Sequence, residues 1–139
     1  MTMNAKNFGL VARSREFDSV MANAVCTDSN GKVQAVELEM GQLIQQLAHN
    51  RDHQGSVYLI GNGGSAAVAS HAITDFVNVC SLRAFTLHES SLITCMANDF
   101  GYENAYARLV KTVMCPGDIL IAISSSGKSA NICNASAIN

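Results

Sequence analysis

The chain has 139 residues, 48% of them apolar, and a mean hydropathy of +0.15. That size and balance fit one domain with a buried core and exclude a disordered chain. A net charge of -2 and a pI near 6.0, with no run of Lys or Arg, exclude any general attraction to nucleic acid or to a membrane surface.

The N-terminal stretch "MTMNAKNFGLVARSREF" carries charges throughout and has no continuous apolar core, so it does not read as a signal peptide. Next, "REFDSVMANAVC" sets Phe17, Val20, Met21, Ala24 and Val25 at helical spacing. "TDSNGK" reads as a turn, and "KVQAVELEMGQLIQQLAHN" repeats the helical pattern with Val33, Val36, Met40, Leu43, Ile44 and Leu47. Two amphipathic helices are therefore expected over residues 1–54. Their apolar stripes are wide for so small a domain, so each has to pack on the domain, on the other helix or on another subunit.

After "RDHQG" the texture changes. "SVYLIG", residues 56–61, is a short β-rich apolar run ending in glycine, the pattern of a buried parallel strand. A helix is expected from about residue 65 to 80, and a second strand in "RAFTLH" (83–88). "SLITCMAND" and "ENAYARLVKTVM" read as helices separated by "FGY". "CPGD" reads as a turn, "DILIAI" (118–123) as a third strand, "SSSGKS" as a loop and "ANICNASA" as the start of a further helix. Strands alternating with helices imply right-handed crossovers and a mostly parallel sheet covered on both faces. No apolar run approaches the roughly 20 residues of a membrane helix, and a cytoplasmic location is expected. Asn139 falls about two turns into the last helix, which suggests a chain truncated at its C-terminus.

The five cysteines (Cys26, Cys80, Cys95, Cys115, Cys133) are odd in number and none forms a C-x-x-C pair. This argues against a disulfide framework or a cysteine zinc site, and for small buried hydrophobes in a reducing compartment.

Two strand-to-helix junctions are built alike, "YLIGNGGSAAV" and "LIAISSSGKSANI". In parallel α/β sheets such loops lie at the carboxyl edge, where ligands bind. Unpaired N–H groups at a helix start attract anions, glycine lets the backbone come close, and serine supplies rotatable donors. Ser124, Ser125, Ser126 and Ser129 suit one phosphate group; Lys128 either adds charge or faces solvent. A Gly/Ser loop can equally be a plain turn with a cap, but two on one edge favour a shared anion. "GNGGSA" lacks the G-x-G-x-x-G spacing, since Ala66 stands at the third position, and no Walker-type G-x-x-x-x-G-K-[ST] occurs. The chain thus carries no ATP or NAD signature, and no nucleotide cofactor is expected.

His71 and Asp75 are four apart on the helix after "GNGGS" and share a face. Such a pair can act in proton transfer or hold a metal, or it can be an ordinary hydrogen bond. His88 and Glu89, after the second strand, form a further candidate pair. Asn98 and Asp99 fit contacts to sugar hydroxyls, or the capping of the next helix.

Taken together, "GNGGSAAVASH", "MANDFGYENAYARLV" and "GDILIAISSSGKSANI" resemble the sugar isomerase (SIS) domain, and within it the phosphoheptose isomerases. The resemblance implies a three-layer, doubly wound, flavodoxin-like α/β domain with a five-stranded parallel sheet, of which residues 55–139 would form a partial core. The N-terminal helical pair would pack between the subunits of a homotetramer, with active sites at subunit interfaces. It implies aldose–ketose isomerisation of sedoheptulose 7-phosphate through an enediol. By similarity, Ser124, Ser126 and Ser129 match the phosphate-binding serines, with Ser125 in the same loop. Asn62, Gly63, Gly64 and Ser65 match the first substrate loop, and Asn98 and Asp99 the sugar-contacting segment. His71 matches a histidine that binds zinc in some members, and Asp75 stands at the family's catalytic and metal-binding glutamate. The family's catalytic histidine lies beyond Asn139. The Asp-for-Glu change and that histidine keep a second reading open, a non-catalytic SIS module that binds a sugar phosphate or serves as an adaptor.

Overall fold

The computed structural model describes residues 9–138; the first eight residues of the N-terminal stretch and Asn139 lie outside the described residues. The elements run α1 (Leu10–Ala22), β1 (Cys26–Thr27), β2 (Val33–Gln34), α2 (Val36–Asp52), β3 (Ser56–Gly61), α3 (Gly64–Asn78), β4 (Arg83–Thr86), α4 (Ser90–Phe100), α5 (Tyr102–Val113), β5 (Ile119–Ile123) and α6 (Ala130–Ser136). The chain divides into two compact units between Ile44 and Gln45, inside α2.

In the first unit, α1 stops earlier than its periodicity predicts. The Asn23 side chain turns back to donate to the Ser19 carbonyl at 2.7 Å, and Ala24 and Val25 leave the helix. The expected turn is the tip of a small antiparallel ladder, Cys26 opposite Gln34 and Thr27 opposite Val33. Asp28 folds the tip by accepting the N–H groups of Asn30 and Lys32 at 2.9 and 3.0 Å. Phe17, Val20 and Met21 are exposed, and none of α1 is buried.

The second unit is built on a three-stranded parallel sheet in the order β4-β3-β5. β3 lies in the middle because every one of its side chains can be covered. Val57 and Leu59 point to a core with Ala69, Leu82 and Ala84, joined by Leu47, Ile73 and Phe76. Ile60 and Tyr58 point to the opposite core with Leu87, Tyr106, Leu109, Val110, Ile132 and Ala135. The period-2 alternation of the strand thus feeds two apolar layers. Small residues of α3 let it lie close to the sheet, and Ala69 is fully buried. α5 buries Ala105, Tyr106, Leu109 and Val110, one stripe at helical spacing.

The amino ends of β3 and β5 are tied by polar groups. Asp118 accepts the Ser56 N–H at 2.7 Å and the Cys115 N–H at 2.8 Å, so it closes the turn and precedes β5 instead of opening it. Buried Asn50 donates to the Gly117 carbonyl at 2.7 Å.

The three strands read from the sequence are the three of the parallel sheet. One expectation is corrected. The cysteines are not core residues: Cys80, Cys95, Cys115 and Cys133 are exposed and Cys26 half-buried, all with free thiols. The four exposed ones occupy a helix end, a turn and the outward faces of α4 and α6, where neighbouring apolar letters do not imply burial. No helix among the described residues is long and apolar enough to cross a membrane.

Candidate functional site

The order β4-β3-β5 makes the gap between the carboxyl ends of β3 and β5 the switch point of the sheet. From β3 the chain runs through α3 to one side, and later crosses through α4 and α5 to the other. Both small-residue loops end at this gap. A polar ligand is expected there because the helices leaving β3 and β5 depart on opposite faces and open a crevice.

Gly61 closes β3, and its missing side chain is required by the chain itself. A Cβ there would meet the Ser65 carbonyl carbon and oxygen at 2.7 and 2.8 Å. Gly63 then turns the backbone with φ of +51°, in the region glycine tolerates. Gly64 differs from both. Its φ is not left-handed, and an added Cβ would meet nothing within 4 Å. No packing inside this chain demands glycine there.

The two loops are joined by an amide pair. Asn62 Nδ2 donates to Asn131 Oδ1, and Asn131 Nδ2 donates to Asn62 Oδ1, both at 2.9 Å. Asn131 is buried in the first turn of α6. The Tyr102 hydroxyl at the start of α5 also donates to Asn62 Oδ1, at 2.8 Å. One residue back, the buried Tyr106 hydroxyl donates to the Gly61 carbonyl at 2.7 Å. Burial, with a smaller contribution from neighbouring Tyr102, pushes the Tyr106 phenol up to about 12, so it remains a donor. Asn131, Tyr102 and Tyr106 carry no sequence signal of function. "SAN", "GYE" and "AYA" read as helix starts and a core stripe.

The serine loop is shaped by its own hydroxyls. Ser124 Oγ accepts from the Gly127 N–H at 3.2 Å and meets Ser129 Oγ at 3.4 Å. Ser126 Oγ accepts from the Lys128 N–H at 3.2 Å. Ser125 is exposed at the tip, and Ser65 stands half-buried in the first turn of α3, the other loop. The structure therefore brings Asn62 of the first loop against α6, the helix that leaves the second.

The other predicted residues lie farther out. Asn98 and Asp99 belong to the last turn of α4, where Asn98 Nδ2 donates to Asp99 Oδ1 at 2.9 Å. They do not cap the next helix, because Gly101 holds that position with no side-chain cap. His71 and Asp75 are both exposed on α3, away from the face that buries Ala69 and Phe76. Asp75 is eleven residues beyond the helix start, about 16 Å along its axis. Zinc at this pair would find two protein donors. The described residues hold no group of three or more His, Cys, Asp or Glu able to hold a metal, short of the four ligands of a closed zinc site. His88 contacts Ser70 Oγ through Nε2 at 2.9 Å, and burial lowers its pKa. Glu89 caps α4, accepting the Leu92 N–H at 2.9 Å.

These features define a parallel α/β domain whose polar groups converge on the switch point of its sheet. The family model described as SIS domain matches residues 23–137, and the chain belongs to that family. It is 39% identical to a phosphoheptose isomerase of Thiobacillus denitrificans, over 73% of this chain and 53% of that protein. To one of Bordetella avium it is 33% identical, over 82% of this chain and 59% of that protein. The chain spans about half the length of the curated relatives it matches. Among solved structures, the phosphoheptose isomerase of Neisseria gonorrhoeae superposes with a TM-score of 0.72 at 28% identity, covering 91% of this chain and 65% of that one.

Proposed function

We propose that this SIS domain binds a phosphorylated sugar and serves an aldose–ketose isomerase acting on sedoheptulose 7-phosphate, with D-glycero-D-manno-heptose 7-phosphate as product. The observation that carries the reading is the amide pair joining the two loops, which holds "GNGGS" and "SSSGKS" at one switch point. The names of the relatives support a phosphorylated heptose as the class of sugar. In this reading Ser124, Ser126 and Ser129 hold the phosphate, with Ser125 at the rim. Asn62, Gly63, Gly64 and Ser65 lie along the sugar chain, and Asn98 and Asp99 meet its hydroxyls.

The reaction moves two protons, one from C1 to C2 and one from the C1 oxygen to the C2 oxygen, and leaves the redox balance within the substrate. A base takes a proton from C1 of the open-chain ketose while the C2 oxygen gains one, giving an enediol. The C1 hydroxyl then loses its proton as C2 gains one, and the carbonyl stands at C1. Asp75 is the acid/base group we assign. Its place about 16 Å along α3 from the loop is more than one chain's site spans easily, which supports assembly of the site between subunits of a homo-oligomer. The exposed Phe17, Val20 and Met21 of α1 supply apolar surface for such packing.

A second reading is a non-catalytic sugar-phosphate-binding module. It is favoured by Asp75 being exposed, and shorter by one methylene than the glutamate implied by the resemblance. Incubation of the chain with sedoheptulose 7-phosphate in D2O, followed by NMR, separates the two. Deuterium at C1 or appearance of the aldose is expected. Binding without exchange would replace the enzyme by the module, and absence of binding would sink both.

A further inference from the structure

We propose that Asn131 and Tyr102 are positioning residues that fix the orientation of the Asn62 amide and so present its one remaining N–H to the bound sugar phosphate. The inference rests on the reading above for the identity of the ligand, but the lock itself is internal to the chain.

A reciprocal amide pair has two arrangements. Flipping both side chains exchanges every donor with every acceptor and keeps both hydrogen bonds. Something outside the pair has to choose. The choice is made by a backbone group that cannot flip: the Ile132 N–H, shared with the Ser129 carbonyl at 3.0 Å, lies 3.0 Å from Asn131 Oδ1, and a flipped Asn131 would set its NH2 donor against that N–H. With Asn131 Oδ1 so placed, its Nδ2 faces Asn62, and Asn62 must answer with its oxygen. The Tyr102 hydroxyl then makes a second donor to that oxygen. Asn62 Oδ1 accepts from both, and Asn62 Nδ2 has given one N–H to Asn131. The other N–H has no partner among the described residues.

Each member comes from a different place in the chain. Asn62 follows β3, Tyr102 opens α5, and Asn131 follows the serine loop, 69 residues from Asn62. The lock thereby sets the spacing of the two loops as well as the direction of the amide. A phosphate or hydroxyl oxygen on the ligand needs a donor, and a flipped Asn62 would turn its oxygen toward it. Like-charged lone pairs would then face each other, which is the penalty the lock avoids.

Asn131 is buried, so its loss risks the fold; Tyr102 is 51% exposed and Tyr102→Phe removes only the hydroxyl. The test is a double-mutant cycle with Tyr102→Phe and Asn62→Ala, reading the affinity for sedoheptulose 7-phosphate by calorimetry. Tyr102→Phe in the wild-type background is expected to weaken binding about threefold to tenfold, the effect of one hydrogen bond. In the Asn62→Ala background the same change is expected to do almost nothing, because the residue it acts through is gone. In ligand-free protein, the Asn62 side-chain amide signals in a 15N-correlated spectrum should shift in Tyr102→Phe. A purely structural tyrosine would lower the melting temperature of both backgrounds and leave the cycle additive. An additive cycle, or full affinity in Tyr102→Phe, overturns the inference while leaving the sugar-phosphate reading intact. Failure of the wild-type chain to bind overturns that reading first, and the presented N–H with it.

Discussion

Gly61 and Gly64 stand three residues apart in the same loop and should respond to alanine in opposite ways. At Gly61 the new methyl would lie 2.7 Å from the Ser65 carbonyl carbon and 2.9 Å from the Ala66 nitrogen, both backbone atoms of α3. Neither can swing aside as a side-chain end would, so β3 and α3 must part by several tenths of an ångström. Overpacking of this kind costs about 3 kcal/mol, roughly a 10 °C fall in melting temperature for a domain of this size. At Gly64 the methyl meets nothing within 4 Å, and the residue is already helical. Alanine there should stabilise by about 0.5 kcal/mol, through lower entropy of the unfolded chain and better helix propensity. If the sugar phosphate lies against this loop, the same methyl stands where the ligand approaches and should weaken binding by about tenfold or more, since 1.4 kcal/mol of overlap suffices. Thermal unfolding and calorimetric titration of the two variants test both halves. Wild-type stability in Gly61→Ala would refute the close approach of α3. Unchanged affinity in Gly64→Ala would refute the placement of the ligand.

Three further predictions use the same assays. Ser126→Ala removes one hydroxyl that, among the described residues, accepts a hydrogen bond from the Lys128 N–H. It should cost about tenfold or more in sugar-phosphate affinity, as for a hydrogen bond to a charged group, with the melting temperature nearly unchanged; equal affinity would remove Ser126 from the phosphate site. Asp75→Asn keeps the shape of an exposed side chain and should lower turnover by about a hundredfold or more while binding stays within a factor of two. Retained turnover would take Asp75 out of the mechanism. Tyr106 tests the pH dependence. Because its folded pKa, about 12, lies above the ordinary value of 10, the folded state holds the proton more tightly. The stability this linkage supplies is fully present below pH 10 and is lost as pH rises from about 10 to 12. Tyr106→Phe should flatten stability across that window and lower it at neutral pH by about 1 kcal/mol, through loss of the bond to the Gly61 carbonyl. An unchanged alkaline slope in the variant would show that another group titrates there.

Local chemistry explains which parts of this architecture could be read early. β3 was legible to the residue, Ser56 to Gly61, because a buried parallel strand is a continuous apolar run and glycine ends it where α3 folds back. The "FGY" break between α4 and α5 was legible too, although only Gly101 lies outside the helices. The cysteines misled because apolar neighbours in sequence do not fix the outward face of a helix. Helix α1 was misplaced because its apolar stripe continues into Ala24 and Val25, while the ladder of Cys26 with Gln34 draws the chain out of the helix.

For the candidate site the division falls between loops and their couplings. The sequence by itself determined the parallel α/β class, the two Gly/Ser loops at the strand ends and the serines that line one of them, since turn chemistry and strand composition act over a few residues. Tertiary structure alone decided that β3 lies between β4 and β5, that Asn62 pairs with Asn131, and that Tyr102 and Tyr106 brace the first loop from α5. Those bonds join residues 40 to 69 positions apart. Their formation depends on which side of the sheet each crossover takes, and that is settled by burying both faces of β3 together, not by the propensities of any one segment.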